Sequence, residues 1–589
     1  MKRLLTYTHL LWGLFFLGSF LFFELNYRYW YRFMEQYSLF LYTEDYFLGL
    51  LKQPGGFNEY LTAFITQFFI FPYAAPLSIS LLLTLISILF ARTLSRAHFQ
   101  LSTLHFPLLT LFPAFLFWLF PVESIASILA ALTGVTAVAV YVSVDKPWQR
   151  YLAGFLLLTL TYFLSAPAHL LAAAGMLVCE WGKSGRSKGW LPALGWFVWA
   201  LILPLLAMRT LYVVPMREAF LSKHLFHPEY PIPLSFWYVW CSFPLVAGVI
   251  YGLGRRKAWF GKGRASRLIQ LAILGLATGL AILYGEHPLE QVYYYDCLAR
   301  RQAWQAIVEH AAKHAVKDKD ALIYANLAHA YTGTFNEALL RLPQIGDDGL
   351  IPYDPKTRLG LIEAAEVSYL LNHTNSAQRF AFVGVLSSER NVQPRLMQRL
   401  VETYLVNEEY KAAEKYIRIL EKSAFYRAWA KELSPLLVPE TAQNTSWIAE
   451  RRRLNPVTDN PYDLTKTLPN ALAFLIDDHP DNKSAFEYGM GYLLLYKDLG
   501  AFMHYMEGVN EKGEDLPILY QEAICLYYTA VQNNPEAFRS YAIAPAVYQR
   551  FRGYLQQVRT LSPSLLARQY GDTYYYYAQF VQPPNKPAR

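Results

Sequence analysis

Hydrophobic residues are distributed unevenly along this chain of 589 residues. Up to Glu286 they form long apolar stretches, whereas from His287 onward apolar and aromatic residues recur every three or four positions between polar ones. A bilayer core of about 30 Å needs roughly 20 mostly apolar helical residues, and the three- to four-residue spacing is typical of amphipathic helices. The pattern predicts an all-α chain with a polytopic helical membrane domain over 1–286 and further helices after it.

The apolar half contains about nine candidate membrane spans. They cover Leu4–Phe23, Phe68–Phe90, Leu101–Phe120, Ser124–Val142, Trp148–Ser165, His169–Trp181, Trp190–Met208, Trp237–Leu253 and Leu268–Leu283. The fifth and sixth are short and are separated only by Ser165-Ala166-Pro167-Ala168. A single kinked helix is the alternative for this pair, and it would invert the topology downstream.

The distribution of charged residues supports nine spans, which is an odd number of membrane crossings. Only 17% of the residues are charged, against about 25% in soluble domains, which argues against an ordinary soluble enzyme. The net charge of +8 comes from the apolar half, where Lys and Arg occupy every second connection, as cytoplasmic loops do. We therefore expect a cytoplasmic N-terminus and a C-terminal domain on the far side, which is the periplasm in a bacterium. The basic excess does not indicate a nucleic-acid partner.

The second half contains a recurring helical unit. Tyr331, Tyr369 and Tyr404 stand 38 and 35 residues apart, each at the end of a helical pattern and before a turn. This spacing is close to the 34-residue tetratricopeptide period and predicts a tetratricopeptide-like α-solenoid over 287–434. After the solenoid we expect a proline-bearing linker or cap over 435–464, and then a second repeat-like subdomain over 465–589. Such repeats hold a protein or glycan partner, or alternatively only pack on the membrane domain.

Most motifs of soluble chemistry are absent from the sequence, which has no P-loop, no dinucleotide-binding fingerprint and no HExxH. No Cys and His spacing suits a metal site. Cys297 and Cys525 fall in the exported half, and the sequence leaves their pairing open. The most informative segment is the long first outer loop, 24–67, with its adjacent Glu44 and Asp45 and the turn Gln53-Pro54-Gly55-Gly56.

A long outer loop with acidic residues after the first span resembles the GT-C superfamily of membrane glycosyltransferases. The resemblance implies a polyprenyl-phosphate sugar as donor. Under it, Asp45 or Glu44, or else Glu24, would be the general base, or one of the first two would bind a divalent metal. Arg28, Arg32 or Arg209 would contact phosphate. The competing interpretation makes Glu44 and Asp45 the start of a helix that Thr43 caps.

The run from Leu50 to Phe69 and the stretch Phe425-Tyr-Arg-Ala-Trp-Ala430 resemble an uncharacterised family of Bacteroidota membrane proteins. That resemblance covers nearly the full length and implies an inner-membrane location without an activity. Two functions follow as hypotheses. The first is a GT-C-like transferase that moves a lipid-linked sugar to an envelope acceptor, and the second is a non-catalytic, membrane-anchored scaffold that recruits envelope proteins through its repeats.

Overall fold

The computed structural model describes two compact units. The first comprises residues 1–290 with 422–424, and the second comprises 291–421 with 425–589. The described residues are 2–97, 107–119, 125–184, 191–222, 234–255, five positions between 272 and 283, 289–388, 392–456, 462–510, 516–534 and 537–583. Within these ranges the chain forms helices and turns without strands, which confirms the all-α prediction.

The first unit is built from long apolar helices and a set of short ones between them. Its helices are Lys2–Asn26, Arg28–Met34, Glu44–Leu51, Gly56–Thr66, Ala74–Arg96, Pro107–Leu119, Ile125–Val142, Pro147–Ser165, Ala168–Ser184, Leu191–Thr210, Met216–Leu221 and Leu234–Arg255. The first eight predicted spans each overlap one of these helices. The ninth, Leu268–Leu283, lies largely outside the described residues.

The predicted number of about nine spans is not reached in the described part of the chain. Three helical segments there are long and apolar enough to cross a membrane, namely His9–Asn26, Ala74–Arg96 and Ile125–Val142. Four more apolar helices are shorter, with 10–17 residues. In the described part of the chain the prediction overcounted because it accepted apolar stretches shorter than the roughly 20 residues that a bilayer core needs. The predicted span His169–Trp181, for example, falls in the shorter apolar helical stretch Ala168–Trp181.

The fifth and sixth predicted spans are two helices and not one kinked helix. The Pro147–Ser165 helix has Ala166 as its C-cap, and the next helix, Ala168–Ser184, packs against it. A buried polar cluster joins them, since Arg150 Nε lies 2.7 Å from Glu180 Oε1. The Tyr141 hydroxyl on the neighbouring Ile125–Val142 helix donates to the same carboxylate at 2.9 Å. These partners compensate the charge of a buried carboxylate among apolar helices.

Several helices of the first unit expose stripes of leucine. On Lys2–Asn26 the exposed leucines recur every three or four residues, so that they share one face. The same spacing occurs on the Ala74–Arg96 and Pro147–Ser165 helices. The exposed stripes are Leu10, Leu14, Leu17, Leu21 and Leu25; Leu77, Leu81 and Leu85; and Leu152, Leu156 and Leu160. Contiguous exposed apolar surface of this kind marks a contact with lipid or with another protein.

The turn at Gly55 makes a close backbone approach. Gly55 adopts φ +72°, a conformation that L residues rarely tolerate, and begins the Gly56–Thr66 helix. A Cβ atom there would lie 2.7 Å from the backbone nitrogen of Ala166. We expect Gly55→Ala to lower the free energy of unfolding by about 1–3 kcal/mol from backbone strain alone. Thermal unfolding of the intact chain in detergent measures this.

Gly49→Ala is the matched control for Gly55→Ala. Gly49 lies exposed within the Glu44–Leu51 helix, and a Cβ atom there would meet nothing within 4 Å. Alanine is the better helix former by up to about 1 kcal/mol, so this variant should be as stable as the parent or more so. Equal melting temperatures of the Gly55→Ala and Gly49→Ala variants would contradict the proposal that the turn requires glycine at position 55.

The second unit consists of shorter helices in which chain neighbours pack on one another. Through the segment 358–433, each helix contacts the next along the chain. The helices are Glu290–Arg300, Trp304–Lys313, Lys319–Tyr331, Phe335–Ala338, Asp347–Leu350, Arg358–Leu370, Thr374–Ser387, Pro394–Val406, Tyr410–Glu421, Arg427–Leu433, Pro439–Gln443, Ser446–Leu454, Leu468–Asp478, Lys483–Leu495, Leu499–Asn510, Ile518–Leu526, Pro545–Gln557, Pro563–Tyr570 and Tyr574–Phe580. Glu290, the first residue of the first of these helices, belongs to the first unit.

The far end of the second unit has an aromatic core. Tyr554, Tyr570 and Tyr575 pack with Phe551 around the buried thiol of Cys525. Burial raises the pKa of that thiol to about 12, and Glu522 adds to the effect. Neither Cys525 nor Cys297 forms a disulfide in the structure, so the pairing left open by the sequence is not formed.

Candidate functional site

The second unit contains a polar cavity of about 630 Å³, a size that suits a small-molecule or short oligomeric ligand. Its walls combine arginine, carboxylate and aromatic side chains. The lining residues are Ala299, Arg300, Arg301, Gln302, Trp304, Tyr331, Glu366, Tyr369, Arg395, Gln398, Arg399, Glu402, Trp429, Trp447 and Arg451.

One face of the Pro394–Val406 helix supplies the charged wall. Arg395, Arg399 and Glu402 are four and three residues apart, so that they lie on the same side of the helix. The buried Glu366 of the Arg358–Leu370 helix pairs with both arginines, at 3.4 Å from Arg395 Nε and 2.6 Å from Arg399 Nη2. Arg395 also pairs with the buried Asp296, and Arg399 with Glu402. The two guanidinium groups are thereby fixed in place.

Two arginines contact the ring of Tyr369. The guanidinium carbons of Arg399 and Arg451 lie 3.6 Å and 3.4 Å from the centre of the Tyr369 ring. Both distances are those of cation–π contacts. Arg451 Nη1 also donates to the carbonyl of Tyr369 at 2.6 Å and to Asn372 Oδ1 at 2.9 Å.

Indole rings form the remaining wall. Trp304 stacks on Tyr331, with ring centres 4.3 Å apart and planes 10° from parallel. Trp429 lies in the first turn of the Arg427–Leu433 helix, and Trp447 lies in the first turn of the Ser446–Leu454 helix. Both side chains are half-buried. Trp447 and Arg451 are one helical turn apart and so present their side chains on one face.

The cavity carries an excess of positive charge. Five guanidinium groups line it, against the two carboxylates of Glu366 and Glu402 and the carboxylate of Asp296 behind Arg395. Burial acts to raise the pKa of Glu366, but Arg399 and Arg395 outweigh it and the pKa lies below its ordinary value. Burial raises the pKa of Glu402 despite the opposing effect of Arg399. The site can hold an anion while also offering hydrogen-bond acceptors.

The residues predicted from the GT-C resemblance lie in the first unit. Glu44 and Asp45 occupy the first turn of the Glu44–Leu51 helix, exposed, and form no ion pair among the described residues. The Thr43 side chain accepts a hydrogen bond from the Tyr46 backbone N–H at 3.3 Å. This is the helix-cap arrangement that the competing interpretation predicted for the pair.

Glu24, Arg28 and Arg32 do come together. Glu24 is 6% exposed and forms an ion pair with Arg28. The guanidinium groups of Arg28 and Arg32 lie 5.7 Å and 5.5 Å from the Tyr29 ring centre. Arg209 lies elsewhere, exposed in the last turn of Leu191–Thr210. The structure therefore gathers three of the six predicted residues.

A carboxylate that the prediction did not include completes this group. Glu290 accepts hydrogen bonds from the backbone N–H groups of Tyr29 and Trp30, at 2.6 Å and 3.1 Å. These are donors of the first helical turn of Arg28–Met34, which have no partner within a helix. Burial raises the pKa of Glu290 to about 7, against the lowering effect of the two N–H groups and Arg28.

The arginines and Trp447 of the second-unit cavity were missed by the sequence analysis. Tyr331 and Tyr369, which the repeat spacing had singled out, both line the cavity. The signal that was overlooked is a four-residue spacing of arginine with other cavity residues, in Arg395 with Arg399 and in Trp447 with Arg451. In the described residues no group of three or more His, Cys, Asp or Glu is suited to hold a metal ion.

A model of the family of unknown function DUF6057 matches residues 2–581. The chain is therefore a member of that family, and the expectation of an uncharacterised family spanning nearly the whole chain is confirmed. Neither a curated protein nor a solved structure matches it.

Proposed function

We propose that the protein is a non-catalytic, membrane-anchored binding protein of the bacterial inner membrane. In this proposal the tetratricopeptide-like second half lies in the periplasm and holds an envelope component in the cavity lined by Trp447 and Arg451. The observation that carries the proposal is the cavity itself, in which fixed arginines and half-buried indoles converge. Trp, Tyr and Arg are the residue types that dominate binding energy at recognition sites.

Membrane anchoring is supported by the first unit. Three of its helical segments have the length and composition of membrane spans, and leucine stripes are exposed on its helices. Such stripes are costly in water and favourable against lipid chains. The alternating basic connections of the sequence support a periplasmic second half.

The repeat character of the second half is supported by the packing of successive helices over 358–433. The anchors Tyr331 and Tyr369 line the large cavity, and Tyr404 lines a smaller one of about 350 Å³. Helical repeats bury their faces by stacking and leave a surface for partners.

A GT-C-like transferase is the second candidate, and one observation favours it. Glu24 is a buried carboxylate held beside Arg28, as an acid–base residue near a phosphate-binding arginine would be. The exposed position of Glu44 and Asp45, in the first turn of a helix that Thr43 caps, weighs against it. Under this alternative, Glu24→Gln at normal protein level would change the envelope glycan profile measured by mass spectrometry.

Photo-crosslinking in living cells tests the binding function. The photoreactive residue p-benzoylphenylalanine replaces Trp447 in the full chain, and adducts are separated after irradiation. We expect one discrete envelope adduct from position 447, because the indole faces the cavity. Adding Arg451→Gln should reduce the adduct severalfold, since that arginine lines the same wall.

Position 353 provides the matched control. Tyr353 is an exposed aromatic residue of the second unit that lines neither cavity described above. No adduct, or the same adduct with equal yield from both positions, would contradict a binding function for the cavity. A glycan profile altered by Glu24→Gln, with no adduct from position 447, would instead favour the transferase.

A further inference from the structure

The composition of the cavity wall narrows the class of ligand. Apart from Ala299, none of the described residues that line the cavity is aliphatic. A groove that binds a peptide by its side chains offers apolar pockets for them, and the described lining includes no Leu, Ile, Val or Met. It offers flat indole and phenol rings edged by arginine, glutamate and glutamine.

That combination suits a sugar. A pyranose ring has faces rich in C–H groups, which pack on an aromatic ring, and hydroxyl groups around its edge. Each hydroxyl both donates and accepts hydrogen bonds. Arg399 supplies donors directly beside the acceptors of Glu366, 2.6 Å away. One sugar hydroxyl can therefore accept from the guanidinium group while it donates to a carboxylate.

The positive charge of the cavity wall favours a ligand that carries an acidic group. Asp296, Glu366 and Glu402 compensate Arg395 and Arg399. Arg451 binds only neutral oxygens among the described residues, and both of those hydrogen bonds use Nη1. Its Nε and Nη2 form no hydrogen bond to the described residues, and this edge of the guanidinium group can pair with a carboxylate or phosphate through two parallel hydrogen bonds. Arg301, exposed at the rim, adds a further positive charge.

We propose that the cavity binds an acidic carbohydrate, a sugar that carries a carboxylate, with its ring against the indoles of Trp429 and Trp447 and its carboxylate on Arg451. The proposal rests on the proposed binding function and names its ligand class. Trp447 and Arg451, one turn apart on the Ser446–Leu454 helix, would contact the ring and the acid of the same sugar unit. The paired arginine and glutamate of the opposite wall would bind its hydroxyls.

Calorimetric titration tests the ligand class. The full chain is placed in lipid nanodiscs, because sugar-based detergents would compete for the site. It is titrated with trisaccharides of galacturonic, glucuronic and mannuronic acid, with their neutral methyl esters, and with triglutamate. We expect at least one uronate to bind ten times or more tighter than its own ester and than triglutamate. The difference should shrink as salt is added, because the excess is electrostatic.

Variants assign the contacts. Arg451→Gln should weaken binding of the uronate at least tenfold and leave that of the ester within about twofold. Trp447→Ala should weaken both, because stacking does not depend on the acid. Arg418→Gln removes an exposed arginine of the same unit and should change neither. Equal hydrogen-exchange protection of all variants shows that each is folded.

Three results would overturn the proposal. They are equal affinity for acid and ester, tighter binding of triglutamate, and no binding of any uronate in the panel. Each is distinguishable from failure of the binding function. A crosslinked adduct at position 447 without uronate binding would retain a binding protein and reject its sugar ligand, whereas the absence of both would reject the two together.

Discussion

Arg395→Ala should lower the free energy of unfolding of the second unit by about 3–5 kcal/mol. The Arg395 side chain is 6% exposed and pairs with Asp296 and Glu366, whose side chains are 2% and 6% exposed. The Tyr324 hydroxyl donates to the same Asp296 carboxylate at 2.7 Å. Removing the arginine leaves two buried carboxylates with less compensation, and that uncompensated charge is the main cost. Hydrogen exchange of the Pro394–Val406 helix as a function of urea, in the intact chain, measures the change.

Two further variants make the Arg395 prediction specific. Arg418→Ala removes an arginine whose side chain is 70% exposed and pairs with Glu414 one turn away. Such surface pairs contribute about 0.3–0.5 kcal/mol, so this control should be close to the parent. Adding Asp296→Asn to Arg395→Ala should recover part of the loss, because one of the stranded charges is removed. A loss as small as that of Arg418→Ala would contradict the proposed role of the buried pair.

Glu363→Gln should stabilise the second unit at pH 8, because glutamine occupies the buried position without having to bind a proton there; the gain should grow by about 1.4 kcal/mol for each pH unit above the ordinary pKa until the folded pKa is reached. Glu363 is fully buried, and neither carboxylate oxygen has a hydrogen-bond partner among the described residues. Burial raises its pKa well above the ordinary value of 4.5, and the negative charges of Asp320 and Asp296 add to the effect.

The sign of the pH dependence follows from proton linkage. The raised pKa means that the folded protein keeps a proton that the unfolded chain releases above about pH 4.5. Stability from this group is therefore fully present below pH 4.5 and is lost as the pH rises toward the folded pKa. Glu363→Gln should remove that loss and match the parent at pH 4.

Hydrogen exchange of the Arg358–Leu370 helix between pH 4 and 8 measures the effect of Glu363→Gln, after correction for intrinsic exchange. Glu337→Gln, which changes an exposed carboxyl group of the same unit, should leave the parent profile unaltered. A Glu363→Gln variant no more stable than the parent at pH 8 would contradict the assignment of a protonated, unpartnered carboxyl.

The helices of the first half were predictable because long apolar stretches and helical periodicity are local properties. Trp148–Ser165, for example, is found as Pro147–Ser165. The number of membrane spans was less predictable, since it depends on the length of each apolar helical stretch, and four of the described ones have only 10–17 residues. Gln53-Pro54-Gly55-Gly56 indicated a turn, but the reason for Gly55 is the backbone of Ala166, more than 100 residues away.

The candidate site in the second unit was largely invisible in the sequence. Tyr331 and Tyr369 were singled out because they recur at the repeat spacing. Arg395 and Arg451 stand 56 residues apart and become neighbours in one cavity wall only through helix packing. Glu44 and Asp45 attracted attention because adjacent carboxylates suggest catalysis, although Thr43 before them is equally a capping signal.

Native mass spectrometry of the intact chain, purified gently from its own cells, tests most directly whether the second-unit cavity is the binding site. The parent protein and the Glu44→Gln, Asp45→Asn double variant should both carry an added mass. The Trp447→Ala, Arg451→Gln double variant should lose it. Retention of the mass in the cavity variant, with its loss in the Glu44 and Asp45 variant, would contradict the account and return attention to the outer loop.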